Sequence, residues 1–360
     1  MAGRDHDAMG VCRASLAGFA TRAWSAIIMK PCRFRRSNIL LTLTLWAFAS
    51  GCGPLRGPVT AEQRDLYERA KALLLRAAQS DLDVVAANAF EALVEVAPDE
   101  AAPYFRAALD SPLPLVRFAG CVALGDIRER SAAGAIRRLL NDRRPRVRLA
   151  AAYALYRCGQ QGHAKLLVDT LNTHPDENMR SDAALLIGRL DEPRALKRLK
   201  LAARREKSGK VAAHIFTAMA RLGDRAALDE LIRRVVQSDQ VSKIVALQGL
   251  VELGRKEALE AFLYTLRDEG DYIETRLLAA RGLGRIGDAS GYQLAMANID
   301  YRAADPTDQM RVRSMAAMAL GAIGRAEALP ALKRLAEDES DPRTQVAACY
   351  AICRIMQPGR

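Results

Sequence analysis

The sequence predicts an all-α protein, an α-solenoid or superhelix of about nine helical hairpins. A six-residue pattern returns nine times, and the last residues of successive copies lie 31 to 37 positions apart. A period of about 30 to 45 residues is typical of repeat arrays in which each unit buries its apolar face on its neighbours. No long run alternates Val, Ile or Thr with polar residues, so no sheet is expected. The nine copies end at Ala97, Arg128, Gly159, Asp191, Gly223, Gly254, Gly287, Gly324 and Met356.

One repeat indicates why each unit is a hairpin. Apolar residues between Val147 and Leu155 recur at helical spacing and predict a first helix. Gly159 stands where that helix ends, as expected for a glycine in a left-handed cap. A second apolar stretch runs from Leu166 to Leu171, and His174-Pro175-Asp176 then interrupts it. Each unit is therefore predicted to be two helices joined by a tight turn.

The residues before several hexapeptides extend the pattern. With them, one unit reads close to Asp-x-x-Val-Arg-x-x-Ala-Ala-x-Ala-Leu-Gly-x-Ile-Gly, which resembles the HEAT repeat in its short bacterial version, called HEAT-like or lyase-type. The resemblance covers about residues 80 to 360 and implies a helical solenoid, but little about function, because HEAT repeats serve many purposes. We expect each Val-Arg arginine to reach an aspartate of an adjacent turn, such as Asp142 or Asp176. These extended copies contain Leu115-Val116-Arg117, Arg146-Val147-Arg148, Asn178-Met179-Arg180, Glu274-Thr275-Arg276 and Arg311-Val312-Arg313.

The two ends of the array differ from its middle. Residues 61–79 form a predicted capping helix that is heavily charged, with a capping box from Thr60 to Gln63. The repeats then occupy residues 80–360, and the last unit stops after its first helix. We expect the apolar face of that helix to be half covered or to meet another chain.

The amino terminus has the layout of a bacterial lipoprotein leader. A cationic stretch precedes the apolar run from Ile39 to Ala49, which is too short to span a bilayer as a helix. Ala49-Ser50-Gly51-Cys52 resembles a lipobox, which implies that Cys52 is acylated and becomes the first mature residue. We therefore expect residues 1–51 to be a leader, with translation starting at Met29, and residues 52–60 to be a lipidated tether.

Other interpretations of this segment remain open. Ordinary secretion and an uncleaved anchor are both compatible with a cationic stretch followed by an apolar run. A buried amphipathic helix fits less well, because the run is uniformly apolar and follows the basic cluster Arg33-Phe34-Arg35-Arg36. Two or more acyl chains on Cys52 would be enough for stable membrane attachment.

Composition and motifs argue against several classes of function. The net charge is +12, but residues 1–51 hold seven basic and two acidic residues, so the mature chain carries about +7 and is not expected to bind nucleic acid. No phosphate-binding loop, Gly-x-Ser-x-Gly element or Cys-His constellation occurs. HEAT-repeat hydroxylases bind iron through His-Glu pairs, and this chain has no His-Glu dipeptide. We expect no enzyme activity and no cofactor.

The histidines and cysteines of the mature chain are predicted to be structural. His163 and His174 fall at turns, and His214 lies on an apolar helix, where a packed core residue is expected. Three of the cysteines are expected to pack as small apolar side chains. Cys349 and Cys353 are four apart, but without a nearby histidine or second cysteine pair we expect no metal site. The three packing cysteines are Cys121, Cys158 and Cys349.

Basic pairs on four predicted second helices are the candidate ligand contacts. Second helices line the concave face in HEAT solenoids, so the pairs could form a basic track for phosphate-rich ligands or acidic protein segments. The alternative is that they are solvated helix faces, with cations near helix C-termini favoured by the dipole. Tyr301 and Arg302, in the longest inter-repeat loop, are the other candidates for partner contact. The paired residues are Arg137, Arg138, Lys197, Arg198, Arg233, Arg234, Lys333 and Arg334.

Together these features predict a non-catalytic scaffold or adaptor in the bacterial cell envelope, held to a membrane through Cys52 on the periplasmic or outer-membrane side. Its partner is expected to be another envelope protein. The alternative is a receptor for an anionic polymer or acidic ligand.

Overall fold

A computed structural model describes residues 60–357, and this range contains eighteen α-helices and no strand. The leader, Cys52 and residues 53–59 of the tether lie outside the described residues. Among the described helices, none has the length and apolar character needed to cross a membrane. In chain order the helices are α1 (Ala61–Ala77), α2 (Asp83–Val96), α3 (Pro98–Ala107), α4 (Pro114–Asp126), α5 (Ala133–Arg138), α6 (Pro145–Arg157), α7 (Ala164–Thr173), α8 (Glu177–Gly188), α9 (Ala195–Arg205), α10 (Gly209–Arg221), α11 (Arg225–Gln237), α12 (Gln240–Leu253), α13 (Leu259–Arg267), α14 (Ile273–Arg285), α15 (Tyr292–Ala297), α16 (Pro306–Ile323), α17 (Leu329–Ala336) and α18 (Pro342–Met356).

The predicted solenoid of helical hairpins is confirmed, and local sequence explains where its helices begin and end. The capping box predicted at the start of α1 is present, with Thr60 and Gln63 bonded to each other's backbone amides. Gly159 has φ of 96°, as predicted for a left-handed cap, and four other hexapeptides also end in a glycine with positive φ. Arg128 and Asp191 adopt the same conformation, with φ of 55°, without being glycine.

The helices form two concentric layers. Each even-numbered helix packs against the even-numbered helices before and after it, and the odd-numbered helices pack outside them. Small residues allow the even-numbered helices to approach closely: a Cβ at Gly188 would lie 2.7 Å from the Cα of Ala218, and one at Gly321 would lie 2.7 Å from the Cα of Ala351. The hexapeptide glycines therefore set the spacing of the inner layer as well as the ends of its helices.

The array closes on itself. The last helix, α18, packs against both α1 and α2, so α1 takes the place of the missing second helix of the ninth unit. Leu74 on α1 and Ile352 and Cys353 on α18 are fully buried. The expectation that the apolar face of α18 is half covered or meets another chain is therefore wrong. The helix α1 covers that face, because nine units bring the first and last described helices together.

Candidate functional site

The inner layer surrounds a central cavity of about 1090 Å³. Its wall is made by the nine even-numbered helices, and successive turns of each helix contribute side chains at different depths. One set, called the charged layer here, stands at the fourth position of each hexapeptide, near the C-terminal ends of these helices. It consists of Glu95, Asp126, Arg157, Arg189, Arg221, Glu252, Arg285, Ala322 and Arg354, of which all but the last two line the cavity.

Ion pairs between helices hold the charged layer together. Arg354 donates to Glu95 at 2.6 Å, which joins α18 to α2 across the closure of the ring. Arg221 pairs with Glu252 of the next inner helix. These four side chains are between 4% and 19% exposed, so the pairs are largely withdrawn from water. Such pairs hold the ring together because removing one partner would leave the other charge buried and uncompensated.

A second group of charged side chains lines the cavity between α4 and α8. Arg189 reaches past α6 to pair with Asp126 at 2.5 Å, and its guanidinium carbon lies 5.7 Å from the centre of the Tyr153 ring. The Tyr153 hydroxyl donates to the other oxygen of Asp126 at 2.5 Å. Burial raises the pKa of Asp126 above its usual value, although Arg189 and the Tyr153 hydrogen bond oppose that shift. Two hydrogen bonds and one ion pair thus satisfy this deep carboxylate.

The charged layer holds five arginines but only three carboxylates, and helix ends account for part of the excess. The C-terminal end of each helix carries a partial negative charge on its unpaired carbonyl groups. Arg157 donates to the carbonyl oxygens of Arg189 at 3.2 Å and Gly125 at 3.4 Å, and also pairs with Asp191. The carbonyl ends of the inner helices thus accept hydrogen bonds from an arginine of the charged layer whose carboxylate partner, Asp191, lies outside that layer.

Two arginines on α14 are different. Arg281 and Arg285 lie one turn apart and line the cavity, and neither forms an ion pair with a described carboxylate. Arg285 makes one long hydrogen bond, 3.4 Å, to the carbonyl oxygen of Glu252, and its Nε is buried without a partner. Burial, followed by repulsion from Arg281, lowers the pKa of Arg285 to about 10. This pair is the part of the inner wall where positive charge is least compensated.

Hydrogen-bond acceptors without a described donor face the same space. Glu91 on α2 lines the cavity, and it has no hydrogen bond or ion pair with another described residue. Burial raises the pKa of Glu91 well above its usual value, opposed first by Arg281 and then by Arg189. The side-chain oxygen of Gln248 on α12 is buried without a donor. The cavity therefore contains both unpaired donors and unpaired acceptors.

Apolar side chains complete the wall beside these polar groups. Val245, Leu278, Met315 and Met318 come from α12, α14 and α16 and line the cavity next to the two unpaired arginines. His214 on α10 lines the cavity and is 7% exposed, with neither ring nitrogen bonded to another described side chain. Burial, aided by Lys210, lowers the pKa of His214 to about 3, so its imidazole is neutral at physiological pH.

The opposite end of the cavity is more open to solvent. At the N-terminal ends of the inner helices, Arg146 pairs with Asp182 at 2.5 Å, and Arg311 with Glu274 at 2.7 Å. The two arginine side chains are 39% and 30% exposed, in contrast to the charged layer. The ion pairs at this end of the inner helices are thus more exposed than those of the charged layer.

The basic pairs predicted on second helices do not face this cavity. The expectation that second helices line the concave face is wrong. The even-numbered helices, which are the first helices of the repeats, pack closely enough to fit the short inner circumference of the ring. The pairs lie on α5, α9, α11 and α17 in the outer layer. As the sequence predicted, the pairs are Arg137 with Arg138, Lys197 with Arg198, Arg233 with Arg234, and Lys333 with Arg334.

Several members of these pairs make structural contacts. Arg138 pairs with Asp110 of the preceding unit at 3.2 Å, and Arg334 pairs with Asp300 at 3.1 Å. Glu230 accepts both arginines of the α11 pair, and Arg137 donates to Gln160. Lys197, Arg198 and Lys333 have no hydrogen bond or ion pair from their side chains to another described residue. In the long loop, Tyr301 packs on the hydrophobic core and Arg302 is exposed.

The Val-Arg arginines make structural contacts as predicted, but not all of them reach the predicted aspartates. Arg117 donates to both oxygens of Asp142, as predicted. Arg148 bonds to the backbone carbonyl of Asp142 instead, and Arg180 pairs with Glu206 rather than Asp176. The three cysteines predicted to pack as small apolar side chains are buried.

Sequence reasoning missed the charged layer, although its signal was present. Eight of the nine hexapeptides carry Asp, Glu or Arg at the fourth position, in a pattern that is otherwise apolar or small. A charge that recurs in phase with buried positions indicates a second buried layer. Which helix face points inward depends on the hand and closure of the ring, and the pattern alone does not contain that information.

Comparisons with known proteins agree with this architecture. A family model for HEAT repeats matches residues 70–156, 106–186, 133–220 and 274–353, which together make up more than half of the chain. A comparison with curated proteins found no match.

Solved structures of low sequence identity are also similar to this chain. Human deoxyhypusine hydroxylase in complex with glycerol is 21% identical, with 73% of this chain and 98% of that chain covered and a TM-score of 0.36. The complex of CpcE and CpcF of phycocyanin lyase from Nostoc sp. PCC7120 is 18% identical, with coverage of 76% and 98% and a TM-score of 0.40. Kap121p bound to Nup53p is 12% identical, with coverage of 77% and 36% and a TM-score of 0.33.

Proposed function

This chain belongs to the HEAT-repeat family, and on that premise we propose that it is a non-catalytic protein-binding scaffold or adaptor anchored to a bacterial envelope membrane. The observation that carries this proposal is the central cavity of about 1090 Å³, which is lined by side chains with unused hydrogen-bonding capacity. Buried polar groups without partners call for an explanation, and a bound partner is one that fits a preformed cavity.

A binding role is favoured over catalysis by the state of the reactive side chains. Within residues 60–357, no serine, threonine or cysteine side chain is hydrogen-bonded to a histidine, the arrangement that would activate a nucleophile. His214 in the cavity wall has its pKa lowered to about 3 by burial, far from the value that suits acid–base catalysis at neutral pH. The cysteines in this range are buried, and burial raises the pKa of Cys121, Cys349 and Cys353.

The membrane anchor is proposed from the sequence at Cys52. The eight residues from Gly53 to Thr60 connect that cysteine to the start of α1, and fully extended they would reach about 28 Å. Because α1 closes the ring, the anchor would hold the closed ring within that distance of the bilayer. Replacing Cys52 by alanine should move the protein from the membrane pellet to the soluble fraction. Retention in the pellet would contradict the lipid anchor.

The alternative, a receptor for an anionic polymer or acidic ligand, would now use the outer surface. Lys197 and Arg198 are exposed there and without partners, but the neighbouring pairs are partly neutralised by acidic residues. Binding through such a surface should weaken steeply with added salt, because it depends on the release of counterions. Salt-tolerant binding would favour the scaffold.

The direct test is purification of the tagged protein from gently cross-linked envelopes, followed by mass spectrometry. A recurrent envelope protein whose recovery is salt-tolerant would support the scaffold. The variant Cys52→Ala tests the anchor in parallel and should reduce recovery of a membrane-bound partner. Recovery of phosphate-rich polymer or lipid without a recurrent protein would contradict the proposal and favour the alternative.

A further inference from the structure

We propose that the central cavity receives the C-terminal tail of a partner protein, with the terminal carboxylate bound between Arg281 and Arg285. This inference rests on the protein-binding role proposed above and specifies which part of the partner is recognised. Three features of the cavity carry it: unpaired cations, unpaired acceptors and an apolar wall.

The cations select an anionic group. Arg281 and Arg285 are one turn apart on α14, so their guanidinium groups repel each other, and no described carboxylate forms an ion pair with either. Glu252, the nearest acidic member of the charged layer on the preceding inner helix, already pairs with Arg221. A carboxylate placed between the two arginines would accept charge-assisted hydrogen bonds and remove the repulsion.

The unpaired acceptors distinguish a peptide from a simple fatty acid. Glu91 lines the cavity without a described hydrogen bond, and the side-chain oxygen of Gln248 is buried without a donor. A peptide terminus brings backbone N–H groups within one or two residues of its carboxylate, whereas an alkyl chain brings none. Capture of a C-terminal carboxylate together with nearby amide groups is an established mode of peptide recognition.

The apolar wall and the volume favour a short tail with an apolar last residue. Leu278, Met315 and Met318 line the cavity on α14 and α16, next to the arginines. The volume of about 1090 Å³ lies just above the usual range for small-molecule sites, roughly 300–1,000 Å³.

The test uses fluorescence anisotropy with labelled octapeptides that end in leucine, valine, phenylalanine or methionine. Each peptide is prepared with a free C-terminal carboxylate and, as its own control, with a C-terminal amide. At least one free acid should bind, and its amide should bind weaker by about tenfold or more, because a charge-assisted contact is lost. Equal binding of acid and amide would overturn the proposal, as would absence of binding of all four acids at about 1 mM.

Protein variants locate the site. The double variant Arg281→Gln with Arg285→Gln should bind acid and amide equally. Lys197→Gln with Arg198→Gln removes the same charge from the outer surface and should keep the preference for the acid. If the first variant fails to fold, judged by circular dichroism, Arg281→Gln alone serves instead, since Arg281 makes no described hydrogen bond or ion pair. An unchanged preference in a folded Arg281 variant would overturn the proposed site.

Two further outcomes separate this inference from the proposed function. Displacement of the tracer by dodecanoate, with no peptide preference for the acid, would replace the tail with a fatty acid. Equal recovery of a cross-linked partner with wild type and with the folded double variant would support the scaffold function and contradict the tail-binding site. Failure to recover any partner with wild type would instead count against the proposed function.

Discussion

Replacing Glu95 by alanine should open the ring at its closure. Glu95 accepts from Arg354 at 2.6 Å and from the Tyr350 hydroxyl at 2.5 Å, and these two bonds join α2 to the last helix. Removing the carboxylate leaves Arg354, which is 19% exposed, without its charge partner. Loss of one member of a largely buried pair costs about 2–4 kcal/mol, with the lower part of the range reflecting the partial exposure of the arginine.

Cys353 makes this opening measurable. It is fully buried on α18, and the nearby charges that influence it, Lys71 and Glu68, belong to α1. Its thiol should therefore react with N-ethylmaleimide only after α1 and α18 separate. If opening is in equilibrium before labelling, 2–4 kcal/mol corresponds to roughly 30-fold to 900-fold faster labelling in the variant. Peptide-resolved mass spectrometry compares Cys353 with Cys121, which is fully buried on α4.

The variant Glu252→Ala is the matched control. Glu252 occupies the same hexapeptide position as Glu95 and pairs with Arg221 of the adjacent inner helix, but covalent connections hold that part of the ring on both sides. It should lower global stability by a similar amount without selectively exposing Cys353. The reasoning would be refuted if Glu95→Ala left the labelling of Cys353 unchanged, or if both variants accelerated it equally.

Three further predictions concern single side chains. Arg128→Gly should raise the free energy of unfolding in urea by about 0.5–1 kcal/mol. Arg128 has φ of 55°, and glycine removes that backbone strain although it loses more conformational entropy on folding. A lower free energy of unfolding would show that the contacts of the arginine side chain stabilise the protein by more than the strain costs. Glu91→Gln should raise the melting temperature at pH 8 but not at pH 4. The pKa of Glu91 is higher in the folded protein than in the unfolded chain, so stability falls as pH rises above the pKa of the unfolded chain. An equal effect on the melting temperature at both pH values would contradict this. His214→Gln should remove an acid-dependent loss of stability, because the pKa of His214 falls to about 3 on folding. The stabilisation from this shift is complete above about pH 6.5 and declines by up to about 1.4 kcal/mol per pH unit as pH falls towards 3. Parallel plots of unfolding free energy against pH for the two proteins would contradict this prediction.

The sequence predicted the repeating unit well because that unit is local. Apolar spacing around Val147 and a glycine at Gly159 depend on contacts within one hairpin and its neighbour, and both behave as predicted. Closure could not be predicted in this way, because it depends on small rotations that accumulate over nine units. The residues that close the ring, Glu95 and Arg354, are 259 positions apart. Their pairing follows from that accumulated geometry and not from any pattern within a repeat.

The same dependence explains why the basic pairs were assigned to the wrong surface. Ile136 and Leu332 beside them are fully buried, which fits a helix packed on one side only, but that pattern does not say whether the other side faces the axis or the exterior. The helices that can pack most closely line the inner surface. These are the first helices, which carry small residues such as Gly188 and Gly321 at the third hexapeptide position.

The site proposed for binding lies where the charged layer departs from its repeating pattern. In most of the charged layer, an arginine pairs with a carboxylate on or just after another inner helix, as Arg157 does with Asp191 and Arg221 with Glu252. Arg285 does not: Glu252 on one side is paired with Arg221, and the equivalent position on the other side is Ala322. The alanine interrupts the ring of charges beside the helix that also carries Arg281. Among the described residues no carboxylate forms an ion pair with Arg285, and this gap in the layer is why we propose α14 as the binding wall.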